Sequence, residues 1–223
     1  MIKLKLVAVF AAAALALTAC GNSDSSSATS SMTVSYQNDI STLDPAIGYD
    51  YQNFSIIKSL FSGLMDYEPG TPNLIPDLAS EEPEISEDGK MFTFKLRSGV
   101  KFHNGRELTA DDVKYSIERA VNPKTQSPGA GFFSMIAGFD EMSSGKSETL
   151  SGIEVVDPLT VKFSLSRPDV TFLSVMAINF SFVVPKEEVD KFGADFGKNP
   201  VGTGAFKFTK WTLGQELVIS KNP

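Results

Sequence analysis

The chain has 223 residues, one cysteine, one histidine and a formal net charge of −7, which allows one large domain or two small ones. An acidic surface with no Lys/Arg cluster argues against nucleic acid and against anionic lipid headgroups as partners, although the charge also serves plain solubility. One cysteine permits no intramolecular disulfide, and the usual His/Cys metal site needs more ligands than this chain has.

The first residues point to export. Lys3 and Lys5 give a positive start, and the apolar run over residues 6–17 is well short of the roughly 20 residues a spanning helix needs. Leu17-Thr18-Ala19-Cys20 follows and matches the bacterial lipobox, so residues 1–19 are expected to be a lipoprotein signal peptide and Cys20 the acylated residue. The alternative is a free thiol in an ordinary leader. Acyl chains at about 0.8 kcal/mol per buried methylene would hold the mature protein on a membrane. Loss of Lys3 and Lys5 leaves it more acidic still. Residues 20–31 are rich in Ser, Gly, Asn and Asp and cannot bury enough apolar surface to order themselves, so they are expected to form a flexible tether.

The globular part then begins. Met32, Val34 and Tyr36 alternate as a short strand, and a loop over residues 38–50 carries Leu43-Asp44-Pro45. Phe54, Ile57, Leu60, Phe61 and Leu64 recur at helical spacing, with Gly63 placed to end the helix. Glu68-Pro69-Gly70-Thr71-Pro72 is a turn. Phe92, Phe94 and Leu96 alternate with Thr93 and Lys95, making a strand paired with Glu84-Ile85, and Val100 and Phe102 continue the alternation. Thr109 followed by Asp111 and Asp112 starts a helix whose buried stripe is Val113, Ile117, Ala120 and Val121, and Asn122-Pro123 ends it. Phe132, Met135, Ile136 and Phe139 suggest another short helix. Ile153 and Val155, then Leu159, Val161, Phe163 and Leu165, form a hairpin about Asp157-Pro158. A mostly apolar stretch to Val184 reads as a helix and a buried strand. Pro185 opens a short helix that ends at Gly193. Phe206 and Phe208, then Leu217 and Ile219, make two final strands. The pattern is mixed α/β.

Catalytic machinery is hard to find. His103 follows a strand in a turn-like setting, with no cysteine nucleophile or serine elbow beside it, and its structural reading is preferred. Ser-x-x-Lys occurs at Ser55/Lys58, Ser98/Lys101 and Ser143/Lys146, without the partner motifs of penicillin-interacting enzymes, and is taken as chance. No Walker-type phosphate loop is present. Asp111/Asp112 and Glu187/Glu188 fall in first turns of helices, where capping explains them. Tyr49 and Tyr51 flank Asp50 in a loop before the first helix. Loop aromatics of this kind either contact a ligand or cover the edge of a core.

The run Phe92-Thr93-Phe94-Lys95-Leu96-Arg97-Ser98-Gly99-Val100-Lys101-Phe102-His103-Asn104-Gly105, then Leu108-Thr109-Ala110-Asp111-Asp112-Val113-Lys114-Tyr115-Ser116, resembles the signature of the family 5 extracellular solute-binding proteins. Leu43-Asp44-Pro45, Leu60-Phe61-Ser62-Gly63-Leu64 and Asn199-Pro200-Val201-Gly202-Thr203-Gly204-Ala205-Phe206-Lys207-Phe208 agree with it. The resemblance implies an α/β, periplasmic-binding-protein-like fold of type II, two-lobed with an inserted α+β domain. Only the first lobe (32–61 and 186–223, discontinuous) and the insert (62–185) are expected here. Members are longer, and the stop at Ser220-Lys221-Asn222-Pro223, directly after a strand, is expected to be a truncation.

The function implied is that of the substrate-binding component of an ABC importer, which captures peptides outside the cytoplasmic membrane and delivers them unaltered. Its partners would be a small peptide, the ABC permease subunits and the lipid anchor, with no nucleic acid and no cofactor, and it would act as a monomer. In peptide-binding relatives the loop after Leu-Asp-Pro runs beside the ligand backbone, which points to Tyr49, Asp50 and Tyr51. Relatives often place an aromatic after the Ser-Pro matched by Ser127-Pro128. Gly129 stands there in this chain, and Phe132 is near enough to substitute. A nickel-chelate, opine or sugar receptor of the same family is the alternative. A surface lipoprotein hydrolase and a purely structural lipoprotein are the rivals from other classes.

Overall fold

Ile56, Ile57 and Leu60 form the buried face of the first helix, α1 (Tyr51–Leu60). The computed structural model describes residues 31–223, and the expectations for the leader, for Cys20 and for the tether up to residue 30 lie outside the described residues. α1 ends earlier than its apolar spacing implies. Phe61 is already extended, although its amide still donates to the Ile57 carbonyl at 2.9 Å. Gly63 is therefore no helix cap. A Cβ there would stand 2.7 Å from the Met176 carbonyl oxygen, so glycine lets two backbones approach.

The strand expected over residues 32–37 does not form: Met32 is 87% exposed and Val34 56%, and neither has a partner strand among the described residues. Alternation without a second strand or a buried face has nothing to stabilise it. From Tyr36 to Pro223 the chain makes one compact unit.

The turn at Glu68 closes a short hairpin of β1 (Met65–Tyr67) and β2 (Leu74–Pro76). The main sheet is antiparallel and four-stranded. It contains β3 (Glu84–Ile85), β4 (Met91–Lys95), β5 (Ile153–Asp157) and β6 (Thr160–Ser164) in the order β3-β4-β6-β5. Register sets Phe92 opposite Phe163 and Phe94 opposite Val161, so the apolar halves of both alternations share one face. α2 (Ala110–Val121) packs its stripe of Val113, Ile117, Ala120 and Val121 on that face. Each such side chain contributes about 1.5–3 kcal/mol on burial. Phe172 closes the face, its ring centroid 4.6 Å from that of Phe92 and 5.3 Å from that of Phe163.

Between α2 and β5 the single helix expected from Phe132 to Phe139 is two pieces. A 3-10 turn spans Ala130–Phe133, and α3 (Phe139–Ser143) starts only after Gly138, at φ 84°. A left-handed residue interrupts helical geometry, and a Cβ at Gly138 would meet Ser151 Oγ at 2.6 Å. Val100 and Phe102 likewise extend no strand. Lys101 makes an isolated bridge with Glu107.

The apolar stretch beyond β6 holds α4 (Phe172–Val175) and a 3-10 turn at Asn179–Ser181. Residues 182–184 are buried and extended without joining a sheet. The Val183 amide donates to the Ser62 carbonyl and the Val184 amide to Ser116 Oγ, at 3.0 and 2.9 Å. α5 (Lys186–Phe192) follows Pro185 and stops at Gly193, and β7 (Phe206–Thr212) pairs with β8 (Glu216–Lys221).

Two apolar cores result. The larger joins the four-stranded sheet to α2 and Phe172. The smaller gathers Leu43, Ile57, Leu60, Phe61, Val184 and Phe196, with Phe208, Trp211, Leu217 and Ile219 from the last hairpin packed on it. Polar bonds join the two. Arg106 forks onto Asp112 at 2.9 and 2.6 Å and reaches Glu187 Oε1 at 2.6 Å, linking the start of α2 to α5. Asp112 also closes the capping box of α2, accepting the Thr109 amide at 2.9 Å. Among the described residues no helix is long and apolar enough to cross a membrane.

Candidate functional site

Asp44 organises the loop that precedes α1. Its Oδ1 accepts the Ala46 amide at 3.0 Å, and its carbonyl accepts the amides of Ile47 and Gly48 at 3.1 and 2.7 Å, which turns the chain sharply. Arg119 of α2 grips the same carboxylate with both terminal nitrogens, Nη1 donating to Oδ1 at 2.8 Å, and lies over the Phe196 ring. Burial opposes the Arg119 charge, but the bonds to Asp44 outweigh it and hold the guanidinium protonated. Both side chains are nearly buried, so this pair fixes the loop from beneath.

From that turn the chain delivers the residues singled out by sequence. Gly48 lies so close to α1 that a Cβ would meet Ile57 Cδ1 at 2.5 Å. Tyr49 then emerges 58% exposed. Asp50 stands at the N-cap position of α1, but its carboxylate is engaged. Oδ2 accepts Ser41 Oγ–H at 2.8 Å and Asn53 Nδ2–H at 3.3 Å. The fully buried Asn53 also donates to Ser41 Oγ at 2.8 Å, which ties the loop to the helix. Tyr51, the first residue of α1, is 87% exposed.

Tyr49 and Phe132 are linked through a shared neighbour, a residue that was not legible in the sequence. Phe180, from the 3-10 turn Asn179–Ser181, is buried beneath both. Its ring centroid is 5.5 Å from that of Tyr49 and 5.8 Å from that of Phe132, the latter pair stacked at 21°. Phe54 extends the row beyond Tyr49 at 6.3 Å. Gly129 completes the arrangement: a Cβ there would fall 2.2–2.5 Å from atoms of the Phe180 ring. Any larger residue would displace the ring that carries Tyr49 and Phe132. Phe180 sits in an apolar run in which nothing distinguishes it from its core neighbours. Asp50 and Tyr51 are not part of this row.

A groove of about 760 Å³ opens on another side of Asp44, lined by Tyr115, Arg119, Asn122, Lys124 and Asp190 among others. Burial pushes the Tyr115 hydroxyl up to about 12, so it stays protonated at neutral pH and can donate a hydrogen bond.

Several side chains of catalytic type are occupied elsewhere. His103 is a staple: the Gly202 amide donates to Nδ1 at 3.2 Å, which leaves Nε2–H to donate to the Gly204 carbonyl at 3.1 Å. Burial lowers its pKa and favours that neutral form. Lys58 pairs with Asp66 at 2.6 Å, and Ser143 Oγ donates to the Asp140 carbonyl at 3.4 Å. Glu187 binds Arg106. Among the described residues no group of three or more His, Cys, Asp or Glu side chains is placed to hold a metal ion.

Residues 73–223 match the family model for the middle region of the bacterial extracellular solute-binding proteins, family 5. The chain is 37% identical over 177 residues to di/tripeptide-binding protein 4 of Pseudomonas aeruginosa (strain UCBPP-PA14), covering 74% of this chain and 32% of that protein. It is 39% identical over 166 residues to the dipeptide-binding protein of Escherichia coli K12, covering 68% of this chain and 30% of that one. Its fold is similar to the substrate-binding domain of an oligopeptide ABC transporter from Bacillus anthracis. The TM-score there is 0.80 at 28% identity, over 85% of this chain and 37% of the other. The chain thus spans about a third of the length of the curated relatives it matches.

Proposed function

This chain belongs to the bacterial extracellular solute-binding proteins of family 5, and from that premise we propose that it is part of a receptor that captures short peptides for an ABC importer. The observation that carries the reading is the aromatic row. Tyr49 and Phe132, distant in sequence, both rest on the ring of Phe180 and are left half-exposed, on a fold shared with a substrate-binding domain of an oligopeptide transporter. Aromatic faces supply apolar area at little entropic cost, and the neighbouring loop backbone supplies hydrogen-bonding groups, which together suit a peptide. Asp50 and Tyr51 border this surface in sequence and belong to the candidate contacts. Asp50 contributes by fixing the loop, given its bonds to Ser41 and Asn53.

The division into a first lobe (32–61 and 186–223) and an insert (62–185) is part of the proposal. The two apolar cores support it, since the buried members of the larger all fall in the insert except Ala46, and those of the smaller in the first lobe except Phe182 and Val184. Residues 1–19 are read as the leader, Cys20 as the lipidated residue and 20–31 as the tether. These would keep a monomeric receptor at the outer face of the cytoplasmic membrane, near its permease. A binding protein of this kind works by closing on ligand only as far as the closed state binds it better, and the peptide leaves unaltered.

Calorimetric titration of the natural gene product that carries this chain, with di-, tri- and pentapeptides, is the test. Saturable binding of at least one length class is expected, with intact peptide recovered by mass spectrometry. Hydrolysed peptide, or no binding across the panel, would overturn the reading. Labelling with radioactive palmitate should mark the wild type and not a Cys20→Ala variant.

A further inference from the structure

The row built on Phe180 has a geometry that goes beyond supplying apolar contact. Phe180 is 2% exposed, so it is no contact surface itself; it is the base on which Phe132 stacks at 5.8 Å and Tyr49 tilts at 5.5 Å. Phe132 and Tyr49 remain 43% and 58% exposed. Each therefore touches Phe180 and still presents surface to solvent. Gly129 leaves room for the Phe180 ring, since a Cβ there would fall 2.2–2.5 Å from its atoms. Asp44 and Arg119 fix the loop that carries Tyr49 from the other end. Rings already held in place lose little entropy when a further ring is added.

We infer that Tyr49 and Phe132, positioned by Phe180 and Gly129, form a subsite that selects peptides bearing an aromatic side chain. Pre-set rings add to an existing stack through offset or edge contacts, a preference over burial alone that an aliphatic side chain cannot reproduce. The inference rests on the peptide reading above and adds a ligand class to it. Phe180 is a positioning residue, since it would act through the two rings it carries.

Affinities of the natural gene product for Ala-Ala-Ala and for the three tripeptides with one Phe in place of Ala test it. At least one Phe-containing tripeptide should bind about tenfold more tightly than Ala-Ala-Ala, a factor that stacking and burial together supply. Phe132→Leu and Tyr49→Leu, both at exposed positions, should bring that ratio to within about threefold of one, whatever they do to overall affinity. Phe180→Leu should lower the ratio too, with a circular-dichroism melt to show that the variant is folded. Equal affinity for the Phe and Ala peptides, or a preference that survives both Phe132→Leu and Tyr49→Leu, overturns this inference and leaves peptide capture standing. Failure of every di-, tri- and pentapeptide to bind, the Phe-containing ones included, overturns peptide capture itself.

Discussion

Removing the Arg119 side chain should cost stability on the scale of a buried ion pair broken from one side. Arg119 and Asp44 are 12% and 9% exposed, so neither charge can recover its hydration when the other is lost. Breaking a buried pair from one side costs about 3–5 kcal/mol, because an uncompensated charge stays inside. The Ala46 amide, at 3.0 Å, would remain on Asp44 Oδ1 after Arg119→Ala. One surviving partner puts the expected loss near the low end, about 3 kcal/mol. With a urea dependence of about 1–3 kcal/mol per molar, the unfolding midpoint should fall by roughly 1–3 M. The double variant Asp44→Asn/Arg119→Met removes both charges while keeping an acceptor for the Ala46 amide, and it should recover at least half of the loss. Urea titrations followed by circular dichroism give all the values needed. A cost under about 1 kcal/mol for Arg119→Ala, as exposed pairs show, would refute the claim that this pair is buried and essential. So would a double variant no more stable than the single one.

Three further outcomes follow from individual contacts. Burial holds His103 below its ordinary pKa of about 6.5, so the unfolded chain takes up the proton first as pH falls. Stability from this group is therefore complete above about pH 6.5, declines towards the lower folded-state pKa and levels off beneath it; melting temperatures between pH 7.5 and 5.5 should show that slope, and His103→Gln should flatten it. Ser116 Oγ accepts the buried Val184 amide at 2.9 Å, so Ser116→Ala should cost about 1–3 kcal/mol by leaving that amide unpaired, measured by urea titration. A Cβ at Gly204 would stand 2.5 Å from backbone atoms of Ser59 and Leu60, so Gly204→Ala should destabilise by about 1–3 kcal/mol, seen as a lower melting temperature.

Where burial is periodic, the sequence revealed the fold well. The β4–β6 face, the stripe and cap of α2, the β7–β8 hairpin and the stop at Gly193 all followed from alternation, capping residues or a C-terminal glycine. What was misread depends on contacts distant in sequence. Residues 32–37 alternate but find no partner strand, and residues 182–184 are buried although their amides bond a loop carbonyl and a serine instead of a neighbouring strand. Gly138 looked like an ordinary residue within an apolar run, yet its left-handed conformation divides that run. Of the candidate site, Tyr49 and Phe132 could be proposed individually. Phe180 could not, because a phenylalanine in an apolar stretch carries no mark of what lies above it.

The signature residues also do something that the search for binding or catalysis did not suggest. His103, Arg106 and Asp112 all lie in or beside the recognisable run, and two of the three reach across to the smaller core, His103 to Gly202 and Gly204 and Arg106 to Glu187. Asp44 of Leu-Asp-Pro meets Arg119 in the same boundary region. Polar bonds of this kind demand particular residue types at both ends, since a lone buried donor or acceptor costs free energy that a mismatched pair cannot offset. Apolar positions on either side tolerate many side chains of suitable volume. A motif that identifies the fold is therefore expected at the seam between two cores, where chemistry is most constrained. The proposed contact residues Tyr49 and Phe132 lie outside it. That separation is why the run carries the resemblance to the family while the proposed choice of ligand has to be argued from other residues.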